Sequence, residues 1–372
     1  MQTSRVIVKL LYLLLLSVFI IDCAQLDEFQ KTEEPPASIS HRYSPNPTSK
    51  RKKAILIADE KGTEITDLLI PFYLLSATGQ IDVQIASQTG KPVSVWKGIF
   101  LQPHLSLQDL SLKPDIIILP AVFHETDPLI LNFIKSNTDK QFLSICEGAK
   151  IIGESKQFSK YQITTHASSR ADLEKKYPDL DWKKDLKFTK DRNLISSAGV
   201  SSAVEATLIL IEQTLGAEAK NKVLKKIKYP YPEIRKNHNS EAVGFWDSLK
   251  IASKLAFDGN PKIGVEIYEG MNEFVLAAYL DSFARTFPSR IETFGPPMIR
   301  SEYGLYLYPT QTTNDYSLVF CRDVCQSYSF PEEIRFRQRS DDYPFLVTLQ
   351  EVESLYGKGM RGIVKKLLDE GP

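Results

Sequence analysis

The chain has 372 residues, 42% of them hydrophobic, and its 46 Lys and Arg balance its 46 Asp and Glu. That length suits two domains, each able to bury a core, and zero net charge leaves no global attraction for nucleic acid or acidic partners. Four cysteines are too few for a disulfide framework.

The first segment reads as a targeting sequence. Arg5 and Lys9 lead into the apolar run Leu10 to Ile21, which breaks at Asp22. The run is short for a spanning helix and suits a signal-peptide core. With Lys9 snorkelling, Val6 to Ile21 would instead form an uncleaved anchor. Cys23 stands where a bacterial lipoprotein is acylated, although Asp22 replaces the small uncharged residue usual before that cysteine. The expectation is export, with residues 1–23 as signal peptide or anchor and the membrane as a partner through that end. Residues 24–51 carry Pro35, Pro36, Pro45 and Pro47 with no apolar period, the composition of a disordered linker. The basic run Lys50 to Lys53 reads as a solvated strand entrance, with anionic lipid contact as the alternative.

From there strand and helix alternate: 54–59, 65–77, 81–86, a hairpin near 92–101, 115–120, 127–136, 141–146, 148–155, 162–165, 194–197 and 201–215. Near-continuous apolar runs such as Ile116 to Leu119 and Phe142 to Ile145 suit central parallel strands covered on both faces. Ligands of such sheets bind beyond the carboxyl ends of the strands. One of these runs ends abruptly in Cys146-Glu147-Gly148, and a helix-like segment follows at once. A strand turning sharply into a helix lifts the turn side chain above the sheet, and Gly148 removes a side chain that would crowd the turn. The helix N-terminus favours the thiolate. The alternative is a buried structural cysteine.

The chain then repeats itself. Setting Gly62 against Gly270 aligns Ile55 with Ile263 and Thr78 with Thr286. Further on, Gly98 matches Gly304, Pro103 matches Pro309 and Asp109 matches Asp315, and the helix ending near Ile227 resembles that ending at Leu368. The second copy is truncated: the stretch between Cys321 and Tyr356 is too short for the elbow and the elements after it, and Val275 replaces Asp67. It is expected to do no chemistry. Between the copies, Phe245, Leu249, Ala252 and Ala256 share a helical face, expected to be packed. Cys321 and Cys325 read as a small apolar pair or a local disulfide, with no zinc pattern around them.

Four segments, KAILIADEKGTEITDLLIPF, SICEGAKIIGES, ITTHASS and NLISSAGVSSAVEATLILIEQTLG, lie in that order between Lys52 and Gly216. Together they resemble the ThiJ/PfpI superfamily, the class I glutamine-amidotransferase-like fold, and CEGA and THASS look closest to its isonitrile hydratase and AraC-regulator sensor-domain group. The resemblance implies a doubly wound, mostly parallel α/β sheet (a flavodoxin-like sandwich) over residues 52–228, then a connector, 229–260, and the truncated repeat, 261–372. It implies a catalytic set of Cys146 as nucleophile, Asp67 as the acid beside its sulfur and His166 as proton shuttle or substrate-orienting group. The backbone amides of Glu147 and Ala121 would form the oxyanion hole. The bland readings are a helix cap for Asp67 and an exposed loop residue for His166.

Two departures stand out. Ala121 and Val122 occupy the place of the family's glycines, and the Glu147 carboxylate would raise a neighbouring thiol's pKa. His124, in the loop overhanging the pocket, is a compensating candidate or a surface residue. On balance the helix N-terminus and Asp67 are expected to give a thiolate at neutral pH. The implied activity is hydratase- or glyoxalase-type attack on a small electrophilic ligand, without metal or other cofactor. The rival is a non-catalytic small-molecule-binding or scaffold domain. With no basic recognition helix, nucleic acid is not an expected partner.

Overall fold

A computed structural model of the chain describes Pro36 and residues 50–371, apart from 97, 110–111, 239–240, 242, 258–260, 312–313 and 324–329. The expected signal or anchor segment, Cys23 and nearly all of the linker lie outside the described residues. Among the described residues no helix is long and apolar enough to cross a membrane.

The first copy opens with β1 (Lys52–Ile57), whose residues from Ala54 onward are buried. After it come α1 (Ile65–Ala77), β2 (Ile81–Ser87), the hairpin β3 (Val93–Trp96) and β4 (Ile99–Gln102), and β5 (Ile116–Leu119). The chain continues through α2 (Pro128–Lys135), β6 (Gln141–Ile145), α3 (Ala149–Ser155), α4 (Ala167–Lys176), β7 (Phe188–Asp191) and β8 (Leu194–Ser197), and closes on α5 (Ser202–Leu215) and α6 (Ala217–Lys226). The sheet runs β7-β8-β6-β5-β1-β2, with the short strand Leu105–Ser106 at its far edge. Every pairing is parallel except that of β7 with β8. This is the mixed α/β, mostly parallel architecture the apolar runs imply, since strands such as Ile116 to Leu119 are buried throughout.

After α7 (Phe245–Phe257) the second copy supplies β9 (Lys262–Glu266), α8 (Glu273–Ala284), β10 (Arg290–Phe294), β11 (Tyr306–Pro309), β12 (Leu318–Cys321), β13 (Arg335–Arg337) and α9 (Pro344–Leu368). Its parallel sheet, β10-β9-β12-β13, repeats the order β2-β1-β5-β6. Helix α9 turns at Gly357 (φ 80°), the equivalent of Gly216 (φ 91°) between α5 and α6. Both helical ends pass into a left-handed residue, Lys228 or Asp369, each with φ 53°.

The two copies face each other around an approximate two-fold axis. Strands β4 and β11 pair antiparallel, with Leu101 opposite Leu307, Phe100 opposite Tyr308 and Gln102 opposite Tyr306. Leu101 and Leu307 are equivalent in the repeat, so the flanking pairs are exchanged as an isologous contact requires. The equivalent helices α1 and α8 pack on one another, which explains why α1, from Ile65 to Leu75, is buried all round. Gly98 lies at this junction: its carbonyl accepts from Thr293 Oγ1 (2.7 Å) and Thr310 Oγ1 (2.8 Å). A Cβ on Gly98 would sit 2.8 Å from the carbonyl oxygen of Ile291.

Two expectations change. Phe245 is 58% exposed and Leu249 39%; α7 packs instead through Ile251 and Lys254, both 5% exposed. The Lys254 ammonium sits 5.2 Å from the centre of the Tyr356 ring, a cation–π contact that rewards burying the lysine stem. Cys321 is disulfide-bonded rather than one of an apolar pair, while Cys146 is free.

Candidate active site

Cys146 follows β6 directly and has φ 52°, the left-handed region that non-glycine residues seldom adopt. Two glycines make the turn feasible. A Cβ on Gly148 would stand 2.1 Å from the Leu119 carbonyl oxygen, and one on Gly199 (φ 108°) would stand 2.7 Å from the Cys146 sulfur. The Thr165 hydroxyl donates to the Cys146 carbonyl at 2.8 Å, which ties the Thr-Thr-His strand to the elbow. The Gly199 turn is held from the other copy: the Ser201 amide donates to the Leu368 carbonyl (3.1 Å) and its hydroxyl to that of Asp369 (2.8 Å).

Asp67 lies fully buried in the first turn of α1, and its Oδ2 accepts from the Ala121 amide at 3.0 Å. The cap of α1 is Glu64, whose carboxylate accepts from the Asp67 amide (2.8 Å) and the Thr66 hydroxyl (2.6 Å). The capping reading of Asp67 therefore transfers to Glu64. The Ala121 carbonyl in turn accepts from the Glu64 amide at 2.9 Å. Ala121 thus clamps the start of α1, and its amide, expected to serve an oxyanion, is already engaged by Asp67.

The thiol environment also differs from the expectation. Burial pushes the Cys146 thiol well above its ordinary range, and the carboxylates of Asp67, Glu147 and Glu64 push it further. The Glu147 amide, hydrogen-bonded to the sulfur, opposes them without prevailing. Cys146 at neutral pH is a thiol, not a thiolate. A helix terminus supplies a fraction of a charge, whereas three carboxylates at low dielectric act together. Glu147 is not directed into open solvent: Lys150 pairs with it at 2.5 Å and the Ser169 hydroxyl donates to it. Burial drives Glu147 upward, but Lys150, Ser169 and His166 more than offset this and hold it below the usual range.

His166 caps α4, its Nδ1 lying 2.7 Å from the Ser168 hydroxyl. Among the described residues no hydrogen bond joins its ring to the Cys146 sulfur. Burial and then the Arg285 charge lower its pKa, against Asp369, Glu147 and Glu64, so the ring is neutral at pH 7. Arg285 and Asp369 belong to the second copy. The His124 amide donates to Asp59 (2.8 Å) and its ring faces Asp127 (3.6 Å). Glu64, Gly199 and Thr165 are the site residues that sequence reasoning missed. Only Glu64, three residues before Asp67 at a helix start, carries a local signal.

In the second copy the same frame holds other residues. Ile55 pairs with Ile117 and Leu119 with Ser144; the equivalent Ile263 pairs with Leu318 and Phe320 with Phe336. Counting two residues on from Ser144 and from Phe336 puts Gln338 where Cys146 stands. Its amide donates to the carbonyls of Glu266 (2.7 Å) and Phe320 (3.0 Å), so no nucleophile occupies that point. Among the described residues no group of three or more His, Cys, Asp or Glu is arranged to hold a metal ion.

Known proteins match about half of the chain. The Parkinson disease protein 7 homolog of Danio rerio is 26% identical over 181 residues, 45% of this chain and 92% of that protein. The crystal structure of Drosophila melanogaster DJ-1beta is 24% identical with a TM-score of 0.45, covering 49% of this chain and 100% of that one. A ThiJ/PfpI family protein from Pseudomonas syringae is 16% identical with a TM-score of 0.48, covering 56% and 88%. The family model described as DJ-1/PfpI matches residues 52–213, the stretch that carries β1, Asp67, the elbow, the Thr-Thr-His strand and the Gly199 turn. Over those residues the chain is similar to the DJ-1/PfpI family.

Proposed function

We propose that the first copy uses Cys146 to add to the electrophilic carbon of a small molecule, in hydratase- or glyoxalase-type chemistry. The observation that carries this reading is the left-handed elbow, which presents a free thiol with the Glu147 amide on its sulfur and Asp67 beside it. Because the resting group is a thiol, the proton must leave as the sulfur attacks. On a carbonyl substrate, the S–C bond forms as the C=O π bond breaks, Asp67 takes the thiol proton, and that proton then passes to the new alkoxide. The Glu147 amide serves the developing oxyanion, since Asp67 occupies that of Ala121. His166, neutral and at the rim, orients the substrate.

The test is intact-mass spectrometry and turnover with methylglyoxal, isocyanides and amides. One of these should give an adduct or turnover that Cys146→Ser abolishes. Absence of both across the panel, in folded protein, would favour the second reading. That reading is a non-catalytic binding domain, and the raised thiol and engaged Ala121 amide support it. We further propose that the protein works outside the cytosol, held at a membrane by its N-terminal segment. The disulfide at Cys321 supports this, because such bonds persist in oxidising compartments. Recovery of full-length protein from cytosol with a reduced Cys321 would refute it.

A further inference from the structure

Beyond the carboxyl end of β13 lies a cavity of about 530 Å³ whose lining includes Arg337, Gln338, Arg339, Asp341, Glu351 and Ser354. Its position, at the second copy's equivalent of the elbow, is where parallel sheets take ligands, and its size suits a small molecule. Two acceptors on its wall lack donors. Gln338 is 6% exposed, and its Oε1 is buried with no hydrogen-bond partner among the described residues. Glu351 accepts from the Tyr279 hydroxyl at 2.8 Å through Oε1, while Oε2 is buried and equally without a partner. Buried acceptors left in this state are costly, and a native structure that keeps two on one cavity wall calls for an explanation.

The charges narrow the ligand. Arg339 is engaged by Asp341 (3.2 and 3.3 Å) and Gln350 (3.4 Å). Arg337 has no ion pair among the described residues and stands at the exposed lip. We propose that the second copy is a binding domain whose cavity takes a small amino-acid-like zwitterion, its carboxylate on Arg337 and its N–H donors on Gln338 Oε1 and Glu351 Oε2. A plain anion would meet Glu351 and Asp341, and a neutral carbonyl compound would leave both acceptors unmet. Burial raises Glu351 to about 7, with Tyr279 and Arg339 drawing it down and Asp341 adding to the rise, so an ammonium group would draw the carboxylate back to its charged form. This inference goes beyond the cysteine reading and does not depend on it.

Isothermal titration calorimetry on the full chain tests it, with glycine, alanine, glutamine, glutamate, lysine and arginine set against propionate and propylamine. At least one amino acid should bind saturably at one site per chain, with propionate and propylamine at least about tenfold weaker. Glu351→Gln, which can still accept from Tyr279, and Arg337→Met, a change at an exposed residue, should each weaken binding by about tenfold or more. Cys146→Ser should bind as the wild type does, which separates failure of this proposal from failure of the first. No saturable binding by any of the six, equal binding of propionate or propylamine, or indifference to both substitutions would overturn it.

Discussion

At one point of the repeated frame the first copy turns through a left-handed cysteine into a helix, and the second runs into Gln338 bonded to two backbone carbonyls. The α1 and α8 caps show which part of this region the two copies share. Asn272 replaces Glu64 and still caps, its Oδ1 accepting from the Val275 amide at 3.0 Å, while Val275 takes the place of Asp67 and brings no carboxylate. Capping needs only an oxygen, and an amide supplies it; acting on a thiol needs a group that can carry a proton. Shared order β10-β9-β12-β13 shows that the parallel frame persists without the residues that fill the first copy between β6 and α5. Sheet core and two-fold contact sustain the fold, and the site is an addition to one half of it.

The largest effect should come from the link between the copies. Lys187, 1% exposed, pairs with Glu205 at 2.7 Å and also donates to the Gly371 carbonyl. Lys187→Met should cost about 3–5 kcal/mol, because Glu205 would stay buried without its cation. Denaturant unfolding would measure it, and a loss below about 1 kcal/mol would mean the tail is not held by this pair. Next comes the elbow: Gly148→Ala drives a Cβ into the Leu119 carbonyl and should cost more than about 3 kcal/mol. Gly357→Ala, in open space at φ 80°, should cost about 1–2 kcal/mol. Equal losses at the two positions would erase the contrast between a packed elbow and a simple kink.

A smaller effect should separate the carboxylates from the dipole. Asp67→Asn removes one of the charges that raise the Cys146 thiol and keeps an oxygen for the Ala121 amide. Iodoacetamide alkylation at pH 7 should then speed up on the order of tenfold, one pKa unit. In the wild type the rate should still be rising above pH 9. Slower alkylation in the Asp67→Asn variant would restore the reading in which this acid stabilises the thiolate. The smallest effect distinguishes the copies by pH. Glu273, Glu351 and Glu370, all in the second copy, are each raised by burial to about 7. The folded chain therefore holds protons that the unfolded chain, with glutamate near 4.3, releases. Their contribution is complete below about pH 4.3 and is lost as pH rises through 7. Glu370→Gln should flatten the fall in Tm between pH 5 and 8; an unchanged slope would remove Glu370 from the account.

Much of this molecule is legible along the chain. Apolar runs marked the parallel strands, the Cys-Glu-Gly turn marked the elbow, and glycines at matching intervals marked the repeat, because periodicity and turn chemistry are local properties. Gly62, Gly98 and Gly216 recur as Gly270, Gly304 and Gly357, all six at positive φ. The face that α7 buries was not legible, since Tyr356, more than a hundred residues further on, decides it.

The site divides in the same way. Which residues stand near the elbow followed from the order of strands and from family resemblance. How they act on one another did not: Asp67 binds the Ala121 amide, Glu64 joins as a third carboxylate, and the second copy brings Arg285 and Asp369 toward His166. Sequence alone determined the frame, the turn and the loss of nucleophile and acid from the second copy. Only the tertiary structure decided that the thiol keeps its proton, that Gln338 faces a cavity with its acceptor unmet, and that the halves meet around Leu101 and Leu307. Protonation and unmet hydrogen bonds depend on which distant groups share a low-dielectric volume, and that is a property of packing rather than of order along the chain.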